Sequence, residues 1–106
     1  MMLLVNIDRV PGREFTALGI VKGSVVQTKN FGKDFMAAMK TLVGGELKGY
    51  TDMLNEARAI AVKRMVDEAE ALGADAVVNV RYASSSLRQG AAECIAYGTA
   101  VKFIEG

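Results

Sequence analysis

The chain has 106 residues, about half apolar and a quarter charged, with 13 basic against 12 acidic side chains and a net charge of +1. These proportions suit a single globular domain over residues 1–106 and exclude a disordered chain. The basic residues are scattered from Arg9 to Lys102 with no stripe and no interleaved aromatics, so nucleic acid is not an expected partner. Cys94 is alone, which rules out an internal disulfide and fits a reducing compartment. No apolar run approaches the roughly 18 residues of a membrane span. The opening MMLLVNIDRV lacks a basic stretch ahead of its short apolar run, so no signal peptide is expected and the default location is cytoplasmic.

Residues 2–7 form a short apolar run rich in β-formers, a strand or an ordered arm. Pro11-Gly12 marks a turn. Residues 14–27 read as a long strand, with Phe15, Ala17, Val21 and Val25 on one face and Leu18, Ile20 and Val26 on the other. Gly19 and Gly23 lie on the first face, where a glycine inside a strand signals a bend, a bulge or close approach of another backbone. Asn30 can cap a helix over residues 31–43, with Phe31, Phe35, Met39 and Leu42 along one stripe. Gly44-Gly45 breaks it.

A second helix is expected from an N-cap at Thr51 to Leu72, with Met53, Leu54, Ala57, Ile60, Ala61, Met65, Ala69 and Leu72 recurring at steps of three or four. Gly73 fits the left-handed residue that ends it. Lys63 with Asp67 and Arg64 with Glu68 read as four-residue pairs on a solvated face. Residues 76–82 form a strand with Val78, Val80 and Tyr82 on one side, and residues 84–90 a polar turn. Residues 91–104 form the last strand, paired antiparallel with its predecessor.

The expected architecture is therefore α+β, an antiparallel sheet with two helices on one face, in the order β-β-α-α-β-β. In the last strand Ala92, Cys94, Ala96, Gly98 and Ala100 make a face of small residues, suited to a closely packed Ala-rich helix. Ile95, Tyr97, Val101 and Phe103 make a bulky apolar face with no helix left to cover it. Self-association is the economical way to cover such a face.

Several segments resemble the YbjQ-like family of small uncharacterised prokaryotic proteins, which carries a heavy-metal-binding label in places. They run from Pro11-Gly12-Arg13-Glu14 through Leu18 to Val26, Asn30-Phe31, Val43-Gly44-Gly45, Tyr50, Leu54, Ala57-Arg58 and Ala61. They continue with Leu72-Gly73-Ala74-Asp75-Ala76-Val77-Val78 and end on Gly98-Thr99-Ala100-Val101-Lys102, covering nearly the whole chain. The resemblance implies a dodecin-subunit-like fold and a ring-shaped homo-oligomer, a pentamer. This chain departs from the more acidic pattern common in the family: Lys22 and Ser24 stand where a Glu is common, and Ala83-Ser84 where an acidic residue is frequent.

The chemistry is less legible. With no histidine and one cysteine, a thiolate or imidazole metal site within one subunit cannot be built, and Cys94 reads as a buried small hydrophobe. Asp67, Glu68 and Glu70 diverge around a helix and read as solvated, so heavy-metal binding is disfavoured. No nucleotide-binding fingerprint or paired-carboxylate spacing is present, and Ser84-Ser85-Ser86 has no base at fixed spacing. No Trp is available to stack on a flavin, and no cofactor is expected.

Gly44-Gly45 and Gly49-Tyr50-Thr51 bring a glycine-rich connection to a helix N-terminus, where an anion could sit, although an interhelix turn is the plainer reading. Arg58 is expected to be partly buried against an acidic neighbour, with an anionic ligand as the alternative. Asn79 and Arg81 share a strand face that could line a pocket, channel or exposed edge. The ligand candidates are thus Tyr50, Arg58, Asn79 and Arg81. The leading expectation is a non-catalytic cytoplasmic homo-oligomer that binds a small anionic ligand or a partner, with no membrane role. A purely structural assembly module and a weak enzyme using carboxylates and Arg58 are the alternatives.

Overall fold

The computed structural model describes residues 2–28, 48–86 and 91–105. Strands β1 (Leu3–Leu4), β2 (Phe15–Thr28), β3 (Ala76–Ser86) and β4 (Ala91–Phe103) form one sheet in the spatial order β1-β3-β4-β2. Helix α1 (Lys48–Ala71) packs on one face. The α+β class holds, but the detailed expectation is corrected. Among the described residues the order is β-β-α-β-β with one helix, and the sheet is mixed because β1 runs parallel to β3. The helix expected over residues 31–43 lies outside the described residues. The antiparallel β3–β4 pair is as expected, although Ser84 to Ser86 continue β3 instead of turning.

Helix α1 buries Met53, Ala57, Ala61, Met65 and Ala69, a row at strict four-residue spacing that forms a single ridge. Three of the five are alanine, so the ridge is shallow and the helix axis comes close to the sheet. At Gly23 the approach reaches backbone: a β-carbon there would collide with the Ala61 carbonyl and the Met65 amide. The chain is already helical at Lys48, so Thr51 lies inside the helix and is not its N-cap. Its end is as the glycine predicts. Gly73 adopts φ +77, with Gly73 N–H bonded to Glu70 O at 2.9 Å and Ala74 N–H to Ala69 O at 3.1 Å. These two bonds are the Schellman pair, which satisfies carbonyls the helix leaves orphaned.

Two bulges set the faces of the sheet. The β2–β4 register slips between Ala17 and Gly19, where Gly19 takes φ +141. An extra residue reverses the alternation. Phe15 and Ala17 consequently lie opposite Phe103 and Val101 on the face away from α1, and only Val21, Gly23 and Val25 face the helix. The second slip falls between Val78 and Arg81, with Asn79 at φ +55. It separates Val78, on the outer face, from Val80, in the core beneath α1. Gly98 lies beside this bulge, its missing side chain leaving room for Val77 and the Val78 carbonyl.

The bulky outer face is not bare, as the sequence pattern had suggested. Val10 is buried there with Ala76, Val78 and Val101, and Val5, Phe15 and Phe103 pack around them. The cover comes from the segment between β1 and β2, held by a turn in which Arg13 N–H bonds Val10 O at 3.1 Å and Gly12 takes φ +77. Pro at the second position and a left-handed Gly at the third are what a type II turn requires. Arg13 then lies over the Phe103 ring at 3.9 Å. The other half of this face stays open, with Ile20 78% and Val26 56% exposed, Tyr97 41% exposed and Ile95 half-buried.

Asp75 ties the helix–strand corner to the end of β4. Its carboxylate accepts Phe103 N–H at 2.8 Å and lies 3.9 Å from the Lys102 ammonium, while its own N–H bonds Val101 O. Asp75→Ala leaves the half-buried Phe103 amide without its acceptor, and we expect a loss of about 1 to 2 kcal/mol in urea unfolding. An unchanged midpoint would show that water replaces the carboxylate at no cost.

Candidate functional site

The bulge at Asn79 has a second consequence. It turns two successive amides toward the segment that follows β1, so Asn79 N–H bonds Ile7 O at 2.9 Å and Val80 N–H bonds Val5 O at 3.0 Å, in place of a regular parallel ladder. A cleft of about 790 Å³ lies beside this irregular pairing, lined by Leu4, Val5, Asn6, Ile7, Val80, Arg81 and Tyr82. Its walls are mostly aliphatic. Arg81 is the one charged residue of the lining, and it is fixed by Nη1, which donates to Asn6 O at 2.7 Å and to Val80 O at 3.2 Å. Two carbonyls on one nitrogen leave the rest of the guanidinium fork for a second partner. Tyr82 supplies an exposed ring beside it.

The ligand candidates from the sequence do not assemble here. Arg81 is in the cleft, and Asn79 is the bulge residue that makes it, so the two do not share a regular strand face. Arg58 is exposed on α1 and donates from Nη1 to Asn55 Oδ1 at 3.0 Å, one turn back; among the described residues it has no ion pair with an acidic neighbour. Tyr50 falls in the first turn of α1 and its side chain lies outside the described residues. Gly44-Gly45 also lies outside them, and Gly49-Tyr50-Thr51 is inside the helix, not before it. Asn6, Ile7 and Tyr82 were not singled out by sequence, and no local pattern marks Asn6 or Ile7.

A family model described as "Putative heavy-metal-binding" matches residues 2–104. The chain belongs to the YbjQ family. UPF0145 proteins agree with it along nearly their whole length: one from Clostridium novyi is 61% identical over 97% of this chain and 100% of its own. One from Alkaliphilus metalliredigens is 60% identical over the same shares, and one from Thermotoga petrophila 59% identical over 95% and 96%. In fold the chain is similar to a crystal structure of a DUF74-family protein of unknown function from Pediococcus pentosaceus. The TM-score is 0.66 with 11% identity, over 97% of this chain and 98% of that one.

The heavy-metal description of the YbjQ family does not fit the donors of this member. Its sole cysteine, Cys94, is buried in the core among Val25, Ala57 and Ala61, and the chain has no histidine. Among the described residues no three carboxylates or thiols come together. A soft metal needs several thiolate or imidazole ligands converging on one point, and one subunit does not hold them. Among the described residues no helix is long and apolar enough to cross a membrane.

Proposed function

We propose that this protein is a subunit of a homo-oligomer that binds a small anionic ligand in the Arg81 cleft and carries out no catalysis of its own. The observation that supports it is the composition of that cleft: apolar walls and one pre-fixed guanidinium, with no acidic side chain in the lining. A carboxylate or phosphate with a compact apolar body matches both features. Assembly is supported by the open half of the outer face, where Ile20, Val26 and Tyr97 stand in water beside Ile95. These exposed side chains are interrupted by Lys22 and Ser24 along the strand, and together with the Tyr97 ring they give a second copy a mixed apolar and polar surface to cover. The finer reading of a pentameric ring comes from the family resemblance, and that of a cytoplasmic location from the sequence, with its lone Cys94 and no basic stretch ahead of its first apolar run.

Native mass spectrometry of the protein purified from cell extract tests both parts. The expected spectrum shows a multiple of the 11.3 kDa subunit carrying a small adduct, and Arg81→Gln keeps the assembly while losing the adduct. Only an 11.3 kDa species at micromolar concentration sinks the assembly. An adduct that survives Arg81→Gln moves the ligand elsewhere.

A further inference from the structure

Among the described residues the order β1-β3-β4-β2 leaves β2 at the rim of the sheet, paired on one side only. A long rim strand with exposed apolar side chains is a template for another copy of itself. From Ile20 to Thr28 this one has no proline, and it carries Ile20 and Val26 exposed. Before Ile20 the bulge at Ala17 and Gly19 bends the strand and interrupts the row of outward-facing groups. Beyond it the regular run needs another device.

Helix α1 provides one. Lys22 N–H donates to Glu68 Oε1 at 3.2 Å, and Arg64 Nη1 donates to Ser24 O at 2.6 Å. Neither is a chance contact of floppy surface chains. Gly23, between the two bonded residues, is where α1 lies against β2 backbone to backbone, and the Arg64 β-carbon is part of that contact. Arg64 and Glu68 start from the flank of the helix that overhangs the rim, one turn apart. In an antiparallel ladder outward-facing N–H and C=O groups recur at every second residue. Lys22 and Ser24 are therefore consecutive outward positions, the middle of the stretch that a new strand would pair with.

We propose that Arg64 and Glu68 act as a guard on the β2 rim, occupying the backbone positions that a strand of a second copy would need and so closing this edge to lateral growth. An acceptor and a donor three ladder atoms apart reproduce what an incoming strand would offer. Lys22 strengthens the guard by putting a charge on the strand, and Ile20 and Val26, whose exposure would otherwise invite pairing, flank the closed segment. The proposal is independent of how the wild-type protein assembles, because it concerns the change that follows when the guard is removed.

The test compares Arg64→Ala/Glu68→Ala with wild type and with Lys63→Ala/Asp67→Ala. That control removes an exposed 3.0 Å ion pair of the same spacing and net charge from the same helix. In the guard variant the Lys22 amide should exchange with deuterium roughly tenfold faster, and sedimentation should show larger species that grow with concentration. The control should match wild type in both. Adding Lys22→Pro to the guard variant removes an outward N–H, which a rim strand tolerates, along with the lysine charge, and should still return the wild-type mass distribution because the pairing position itself is gone. Lys22 exchange that stays at the wild-type rate overturns the proposal, as does growth that Lys22→Pro does not reverse or that the control shares. If the double variant loses its helical signal, Glu68→Ala alone gives the same reading at Lys22, and an unchanged rate there is equally decisive.

Discussion

Replacing Gly23 with alanine is expected to destabilise the protein by about 3 kcal/mol or more, although it adds a single methyl group. The usual remedy for an oversized core residue is rotation of a neighbouring side chain. Here the new carbon would meet the Ala61 carbonyl and the Met65 amide, which belong to the helix backbone, and the Arg64 β-carbon at 2.7 Å, which cannot rotate away either. Relief requires moving α1 bodily off the sheet, which opens the seam along Ala57, Ala61, Met65 and Ala69. Urea unfolding at fixed protein concentration reads the effect as a lower midpoint. The same displacement pulls Arg64 and Glu68 away from β2, so the Lys22 amide should exchange faster in this variant as well. A change below about 0.5 kcal/mol, the scale of an ordinary surface substitution, would mean that the helix is not seated this closely.

That contact was readable before the structure, because a glycine inside a strand has few reasons to be there and close backbone approach is one of them. Gly19 was readable for the same reason, and so was Gly73 at the end of a long stripe. The reach of such reasoning ends where one residue changes parity. Gly19 marked an irregularity without saying that it inserts a residue, and nothing about Asn79 announces the second insertion, yet the two bulges move Phe15 and Ala17 to the outer face and split Val78 from Val80. An alternation argument has no defence against an insertion of one.

The pair Arg64 and Glu68 shows a different limit. Four-residue spacing establishes that two side chains on a helix can meet, but a strand some forty residues away offered better partners. Lys63 and Asp67, one position earlier and both exposed, form the expected pair at 3.0 Å. The candidate site was legible to the same partial degree. Arg81 stood out as a charge on a strand, while its companions Asn6 and Ile7 reach it only because β1 runs parallel to β3 across a separation of more than seventy residues. A parallel pairing of two residues leaves almost no pattern in a sequence.

Met65→Ala is expected to cost about 3 kcal/mol, within the range for removing a long buried side chain. Met65 is the largest fully buried side chain of the described residues, and around it the core is built from small ones: Ala57, Ala61, Ala69, Ala96, Ala100 and Cys94. Short side chains cannot lean into a vacated space. The buried neighbours with reach, Val21, Val25, Val77 and Val80, are β-branched and locked by the strands they sit on, while the longer Met2, Leu4 and Ile60 are only partly buried against the cluster. Collapse of the cavity would require the helix to sink further, and Gly23 already places it at backbone contact, so the void should persist. Met65→Leu nearly conserves the volume and should cost less than about 1.5 kcal/mol. The contrast between the two variants carries the information. Equal losses would mean that shape at this position matters more than volume, whereas two small losses would mean that the seam can close by moving α1, against the geometry at Gly23.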